Sequence, residues 1–367
     1  MTRRTSSVPQ RFKAGITRYG PDDAADLADF QRHNFGDDAR QLDPARFDWL
    51  FESNPHRQDG EGPALWICRR KDEIVGQQAE IPFTLVVDGA ALPGGWAIDL
   101  MVAPDWRIRG VGPGLVSAHA DESGLLVGLT QNQDAAGIYV TDGWTEVGSV
   151  PVYLRPVDAR ALLLTAPSMA RLRPLAPVVG LGVRAVDLAL GGLRRALGLK
   201  LVPVDRFDDR VDEVWERSAP HYDVLSRRDR TAVAWSFDQR PDADVHRRHY
   251  LVRGSKTLGY VVLRETQHWG GKTMAVVDYL APPRWVPPLL TLAAHEARRQ
   301  GAFAMMCRTL CAPADRVLRL SGFSRRGLDV SSPLRMFVHC PDGDDAVQAS
   351  VGRSGDWFLT AADADLS

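Results

Sequence analysis

"RIRGVGPG", residues Arg107–Gly114, sets two arginines and three glycines in eight positions. It lies between an apolar run, "AIDLMV" (Ala97–Val102), and a stretch that reads as a helix, Gly112–Ser123. Glycine lets backbone amides approach a ligand with no Cβ in the way. A helix opening just behind such a loop adds unpaired N–H groups and a positive dipole end. With a flanking arginine this is a cradle for a pyrophosphate; the alternative is a tight turn whose glycines serve geometry alone. Neither common nucleotide loop is present: GxGxxG needs a parallel βαβ unit, and the P-loop needs GK[ST]. What stands is Arg-x-x-Gly-x-Gly, on Arg107, Gly110 and Gly112.

Outward from this loop, the flanking pattern is α/β. "AGITRYG" (14–20) reads as a strand, 21–35 as a helix opened by Pro21, and 43–51 as a second helix. "ALWICRR" (64–70), "EIVGQQAEIPFTLVVDG" (73–89) and "GWAIDLMV" (95–102) form an antiparallel meander with turns at Lys71–Asp72 and Asp88–Gly89. "LLVGLT" (125–130) is a strand, 134–141 a helix, and "VPVYLRP" (150–156) a closing strand. The fold class expected is α/β (α+β), a mixed, mostly antiparallel sheet flanked by helices and splitting near its centre.

The pattern occurs twice. "WLFESNP" at Trp49 is echoed by "WSFDQRP" at Trp235, "AIDLMVAP" around Asp99 by "VVDYLAPP" around Asp278, and "DGWTEVG" around Gly143 by "SGFSRRG" around Gly322. The last two pairs share an offset of 179, while the tryptophans are 186 apart, so the second copy lacks a net seven residues upstream. The hairpin at "VDGAALPGG" is the expected place. Two tandem domains follow. The expected division is a basic leader, 1–13, taken as disordered; an N-terminal domain, 14–156; an apolar, basic helical linker, 157–200; and a C-terminal domain, 201–367.

Composition sets the bounds. The 367 residues carry a formal charge of −1, which argues against a nucleic-acid surface, since phosphate backbones need a concentrated basic face. Cys68, Cys307, Cys311 and Cys340 form no CxxC pair. Cys307 and Cys311 fit one face of a helix but lack metal-binding partners, as do His246 and His249, so no metal is expected and reduced cytosolic thiols are the reading. No apolar run approaches a bilayer span. A cytoplasmic protein is expected.

"VAPDWRIRGVGPGL" (102–115) resembles the acyl-coenzyme A loop of the GNAT acyltransferase superfamily. "NQDAAGIYVTDGW" resembles that family's second signature, on Asn132, Ala135, Tyr139, Gly143 and Trp144. The resemblance covers 14–156, with a weaker echo over 201–340, and Pro113–Gly114 depart from the small helix formers commoner there. It implies that Arg107, Ile108, Arg109, Gly110, Val111 and Gly112, with Pro113 and Gly114 behind them, hold the pyrophosphate of acetyl-coenzyme A. Leu100, Met101 and Val102 would pair with the pantetheine arm and Asn132 would position the cofactor. Tyr139 would protonate the leaving thiolate, or else be a core aromatic on a helix. Glu80 and Asp99 are candidate bases, Asp99 weakened by its counterpart Asp278. No covalent enzyme intermediate is needed.

The 179 offset places Val286, Leu289, Thr291, Cys311 and Leu318 where the first copy has Arg107, Gly110, Gly112, Asn132 and Tyr139. The second copy therefore reads as degenerate. "HYDVLSRRDRTAVAWSF" (221–237) offers Arg227, Arg228 and Arg230 with Tyr222 and Trp235, either to an anionic or sugar-like acceptor or as a solvated helix face over a buried Trp235. Together with "DWFLTAADAD" (356–365) it is similar to tandem acetyltransferases of bacterial polysaccharide loci. Residues 178–199 read as an amphipathic helix, packed between domains or on a membrane surface. The resulting expectation is an acyltransferase moving an acetyl group to an amine or hydroxyl of a small-molecule or carbohydrate acceptor. The rivals are a non-catalytic scaffold and a Fem-like aminoacyl or peptidyl transferase.

Overall fold

The computed structural model describes residues 10–57, 60, 62–158, 198–268, 271–310, 312–326, 333–340 and 345–364. The expected linker helix and Cys311 lie outside them. Two compact units form, one from the described residues of 1–150, 239–241 and 331–354, the other from those of 151–238, 242–330 and 355–367. Elements are numbered along the whole chain.

In the first unit, β1 (Ile16–Arg18), β2 (Leu65–Arg70), β3 (Glu73–Val87) and β4 (Ala90–Val102) form the antiparallel meander. Its turns take the expected residues: Lys71, Asp72, Asp88 and Gly89 all have positive φ, the left-handed pair that matches strand twist in two-residue hairpins. β4 then pairs in parallel with β5 (Leu125–Thr130). Helix α2 (Ala24–Phe35) follows a 3₁₀ turn at Pro21–Asp23; α3 (Pro44–Phe47), capped by Asp43, runs into a π-helical turn, Asp48–Glu52. Gly76 lies against Val111 and Leu115 of α4 (Val111–Glu122), whereas its neighbour Gln77 bonds Gln31 of α2 at 3.1 Å. Adjacent strand residues point to opposite faces, so α2 and α4 cover the two sides of the sheet.

The second unit repeats this order. β8 (Leu199–Val204), β10 (His246–Arg253), β11 (Lys256–His268) and β12 (Gly271–Leu280) are antiparallel, and β12 pairs in parallel with β13 (Ala304–Leu310). The β3 and β4 arms are 15 and 13 residues long, against 13 and 10 for β11 and β12, which accounts for part of the shortening read from the sequence. A bulge interrupts β4 opposite Gln77–Ala79 and another interrupts β12 opposite Val262–Leu263, beside Asp99 and Asp278.

The closing strands depart from the expectation. The "VPVYLRP" strand, β7 (Val152–Pro156), lies in the second unit between β13 and β14 (Ser324–Arg326). Its counterpart β15 (Arg335–His339) lies in the first, between β5 and β6 (Thr145–Ser149). Each unit is thus completed by a strand from the other half of the sequence, so the boundaries at 156 and 201 do not bound the units. Cys307 is also corrected: it sits buried on β13, a strand, rather than on a helix.

Candidate functional site

β4 and β5 pair only through Gly94–Ala97 and Leu125–Gly128. Beyond Ala97 and Gly128 both strands continue, and among the described residues no strand joins the β5-facing edge of Ile98–Val102. Leu100 and Met101 on this edge are half-buried and Val102 is buried. Tyr139, on α5 (Gln133–Thr141), sits over the fork: a Cβ on Gly128 would fall 2.9 Å from its Cζ and 3.1 Å from its Oη. The ring also belongs to the core, with Trp144 at 4.5 Å and Phe337 at 5.3 Å between centroids. Burial pushes the phenol well above its ordinary pKa, so it stays protonated across neutral pH.

Past Val102 the chain makes a 3₁₀ turn, Pro104–Arg109, and enters α4 through Gly110 at φ 78°. Val111 and Gly112, as the first residues of the helix, have no intrahelical acceptor for their amides; Pro113 has no N–H, and Gly114 is bonded back to Gly110 O at 3.0 Å. Arg107 Nε donates to Val102 O at 3.2 Å, Arg109 stacks on Trp106, and Ile108 is 97% exposed. The glycines also serve packing. Cβ atoms on Gly110 and Gly114 would strike Phe12, and one on Gly112 would lie 2.9 Å from Ile138. Asn132 caps α5, its Oδ1 accepting from Asp134 N at 2.8 Å, which is sufficient reason for an asparagine there.

The two candidate bases are both engaged by hydrogen-bond partners. Glu80 is buried beneath α4, where its Oε2 meets His119 Nε2 and accepts from Ser123 Oγ, both at 2.7 Å. Its pKa is lowered because those hydrogen bonds and the His119 charge outweigh a large desolvation. Asp99, at φ 51° in the bulge, accepts from Gln41 Nε2 at 2.9 Å and Arg46 Nη2 at 3.2 Å, and its carbonyl takes Gln77 Nε2 at 3.3 Å. Each carboxylate is committed to partners outside the Tyr139 cluster. Sequence reasoning missed Gln41, Arg46 and Gln77, since residues 22 to 58 positions from Asp99 show no local pattern.

Asp142, just past α5, gives a pH-dependent test of the cluster. Burial pushes its pKa up to about 6, against hydrogen bonds from Trp144 and Ser117. A folded pKa above the unfolded one contributes stability below pH ~4 that is lost as pH rises through about 6. Asp142→Asn is therefore expected to stabilise the protein by about 2–3 kcal/mol at pH 8 and by little at pH 4. Melting temperatures of both proteins across that range check it; parallel curves would refute it.

The second unit builds the same fork and fills it. After Val276 and Cys307 the pairing of β12 with β13 ends. β16 (Trp357–Thr360) then pairs with Thr309–Leu310, and Ala362 N donates to Val277 O at 3.1 Å. Helix α8 (Val286–Arg299) starts where the first unit has its loop, with Pro287 and Pro288 removing two of its leading amides. Leu289, Thr291 and Leu318 are buried. The "SRRDR" arginines are engaged: Arg228 is buried against Asp278 and Asp363, Arg227 pairs with Asp229 and Arg230 with Asp209. Tyr222 Oη donates to Ala281 O and Trp235 is buried. Arg227 and Arg230 remain exposed, whereas Arg228 does not. Among the described residues no group of side chains is placed to hold a metal, and no helix is long and apolar enough to cross a membrane.

A meander, a bulged fourth strand, a parallel fifth strand diverging from it and a glycine-entered helix together define the GNAT fold. No protein-family model matches the sequence, and no curated protein does. Solved structures match the fold. A GCN5-related N-acetyltransferase from Anabaena variabilis ATCC 29413 aligns at TM-score 0.59 and 14% identity, over 88% of this chain and 71% of that one. One from Kribbella flavida aligns at 0.57 and 16%, over 95% and 82%. Saccharomyces cerevisiae N-myristoyltransferase with bound myristoyl-CoA aligns at 0.53 and 13%, over 90% and 79%. At such identities the likeness is one of fold.

Proposed function

We propose that the first unit is an acyl-coenzyme A-dependent acyltransferase, with acetyl-coenzyme A as donor and an amine, or less favoured a hydroxyl, of a small-molecule or sugar-derived acceptor. The observation that carries this is the fork: β4 and β5 part after Ala97 and Gly128, with Tyr139 over the last paired residue. The open edge of Ile98–Val102 suits an extended amide-bearing arm, which adds to a sheet as a strand does. The Val111 and Gly112 amides suit a pyrophosphate, with the Arg107 and Arg109 charges beside them. Bound there, acyl-coenzyme A supplies the activated thioester. Tyr139 holds a proton beside it, and the turn of backbone at the bulge, fixed by Asp99 through Arg46 and Gln41, orients the β4 amides. The buried Glu80 and the paired Asp99 leave deprotonation of the acceptor to water. The solved structures of this fold, two of them N-acetyltransferases and one holding myristoyl-CoA, support an acyl-coenzyme A donor.

The test is calorimetric titration with acetyl-coenzyme A. One site in the first unit is expected, weakened at least tenfold in Arg107→Glu, where a charge-assisted contact is replaced by repulsion. Gly112→Glu, whose side chain would also press on Ile138, serves as the second variant. Absence of binding to the wild type would refute the reading and favour a scaffold or an RNA-dependent donor. A further site that requires the second unit's fork would refute the degenerate second copy.

A further inference from the structure

The second unit carries a cavity of about 460 Å³ that the acyl-transfer reading does not use. Five cationic or titratable bases line it, Arg217, His221, Arg253, Lys256 and Arg284, around Trp285. Its exposed lining is mostly apolar, and Leu258 and Pro282 are buried within it. No aspartate or glutamate lines it. Elsewhere Arg69, Arg228 and Arg248 each meet a carboxylate.

The cations come from three distant stretches and several are held in place. Arg253 and Arg284 stack on Trp285, 5.3 and 5.6 Å from the ring centroid. Arg217 donates to Thr257 O, leaving its other N–H groups directed by that anchor, and its one carboxylate neighbour, Glu213, is 3.6 Å away on the same helix, α6 (Arg210–Ser218). Among the described residues, Arg253, Lys256, Arg284 and His221 have no carboxylate partner. Like charges gathered round one cavity repel, and a multiply charged anion entering it relieves that repulsion. Guanidinium forks fixed by stacking match phosphate oxygens in pairs and lose little side-chain freedom on binding.

We propose that this cavity binds a small molecule carrying linked phosphate groups, through Arg253, Arg284, Lys256 and Arg217. The concave shape, about the volume of a small-ligand pocket, and the near-neutral chain favour such a ligand over a nucleic-acid duplex, which requires a broad basic face. The site lies in the unit whose own fork is filled, so it stands independently of the acyltransferase reading.

Calorimetric titration of the full chain with inorganic tripolyphosphate and, separately, with a nucleoside triphosphate tests it. In the Arg107→Glu background, where the first unit's pyrophosphate loop is disabled, both are expected to bind at one site, because the phosphates carry the recognition. Arg253→Glu with Lys256→Glu, at exposed positions, is expected to cost at least about tenfold in affinity. Retention of binding when Arg253→Glu and Lys256→Glu are added to Arg107→Glu, or no binding of either compound at physiological salt, would overturn the proposal.

Discussion

Tyr139→Phe is expected to lower kcat by about 10²–10⁴-fold, the usual worth of a positioned proton donor, while coenzyme A affinity and melting temperature stay near wild type. Burial excludes water from the ring and holds the phenol protonated, the form a donor must have before transfer. The same apolar surroundings raise the basicity of a thiolate formed beside it, so the proton still moves toward sulfur although the phenol itself is a weaker acid than in water. Removing only the hydroxyl keeps the ring's contacts with Trp144, Phe337 and the bare face of Gly128. A stability loss therefore would not account for a fall in turnover. Steady-state kinetics on wild type and variant separate the two roles. A fall in kcat at constant KM marks an interaction made in the transition state; unchanged kcat would leave Tyr139 as a core aromatic.

Much of this site was legible because its determinants are local. The hairpin turns announce themselves in Lys71–Asp72 and Asp88–Gly89, and the helix entry in Gly110. The Asp99 and Asp278 landmarks coincide with a bulge in each unit, which is why the 179 offset holds across them. What stayed hidden depends on partners remote in the chain. A strand signal such as "VPVYLRP" states that a segment is extended, not which sheet receives it, so the exchange of β7 and β15 had no sequence mark. "DWFLTAADAD" stands out only by resemblance and is assigned no element, yet Trp357, Phe358, Leu359 and Thr360 are among the most buried residues of the second unit. Arg228 was grouped with Arg227 and Arg230 by adjacency, but only Arg228 turns inward. Charge clustering in sequence does not distinguish a binding face from a buried pair until the acids that meet it are known.

Arg228→Ala is expected to destabilise the second unit by about 3–5 kcal/mol, lowering its melting temperature by roughly 10 °C. Arg228 is 5% exposed and meets Asp278 Oδ1 at 3.2 Å and Asp363 Oδ2 at 2.6 Å, with Thr360 Oγ1 and Ser226 O completing its shell. Those carboxylates are 2% and 4% exposed, so without the guanidinium two buried negative charges face one another uncompensated. The deficit should then shrink as pH falls, because protonation removes charge that the folded state cannot pair; a loss due to packing alone would be the same at every pH. Asp363→Asn, which leaves the Arg228–Asp278 pair, should cost less. Because Thr360 and Asp363 belong to the segment that closes the second fork, amide exchange in β16 should quicken with the same pH dependence. Loosening that segment should still not create a second coenzyme A site, since Pro287 and Pro288 leave α8 without the amides that Val111 and Gly112 present in α4. Titration of Arg228→Ala with acetyl-coenzyme A should therefore keep the wild-type stoichiometry. An added site would mean that the filled fork, and not the helix entry, is what silences the second unit.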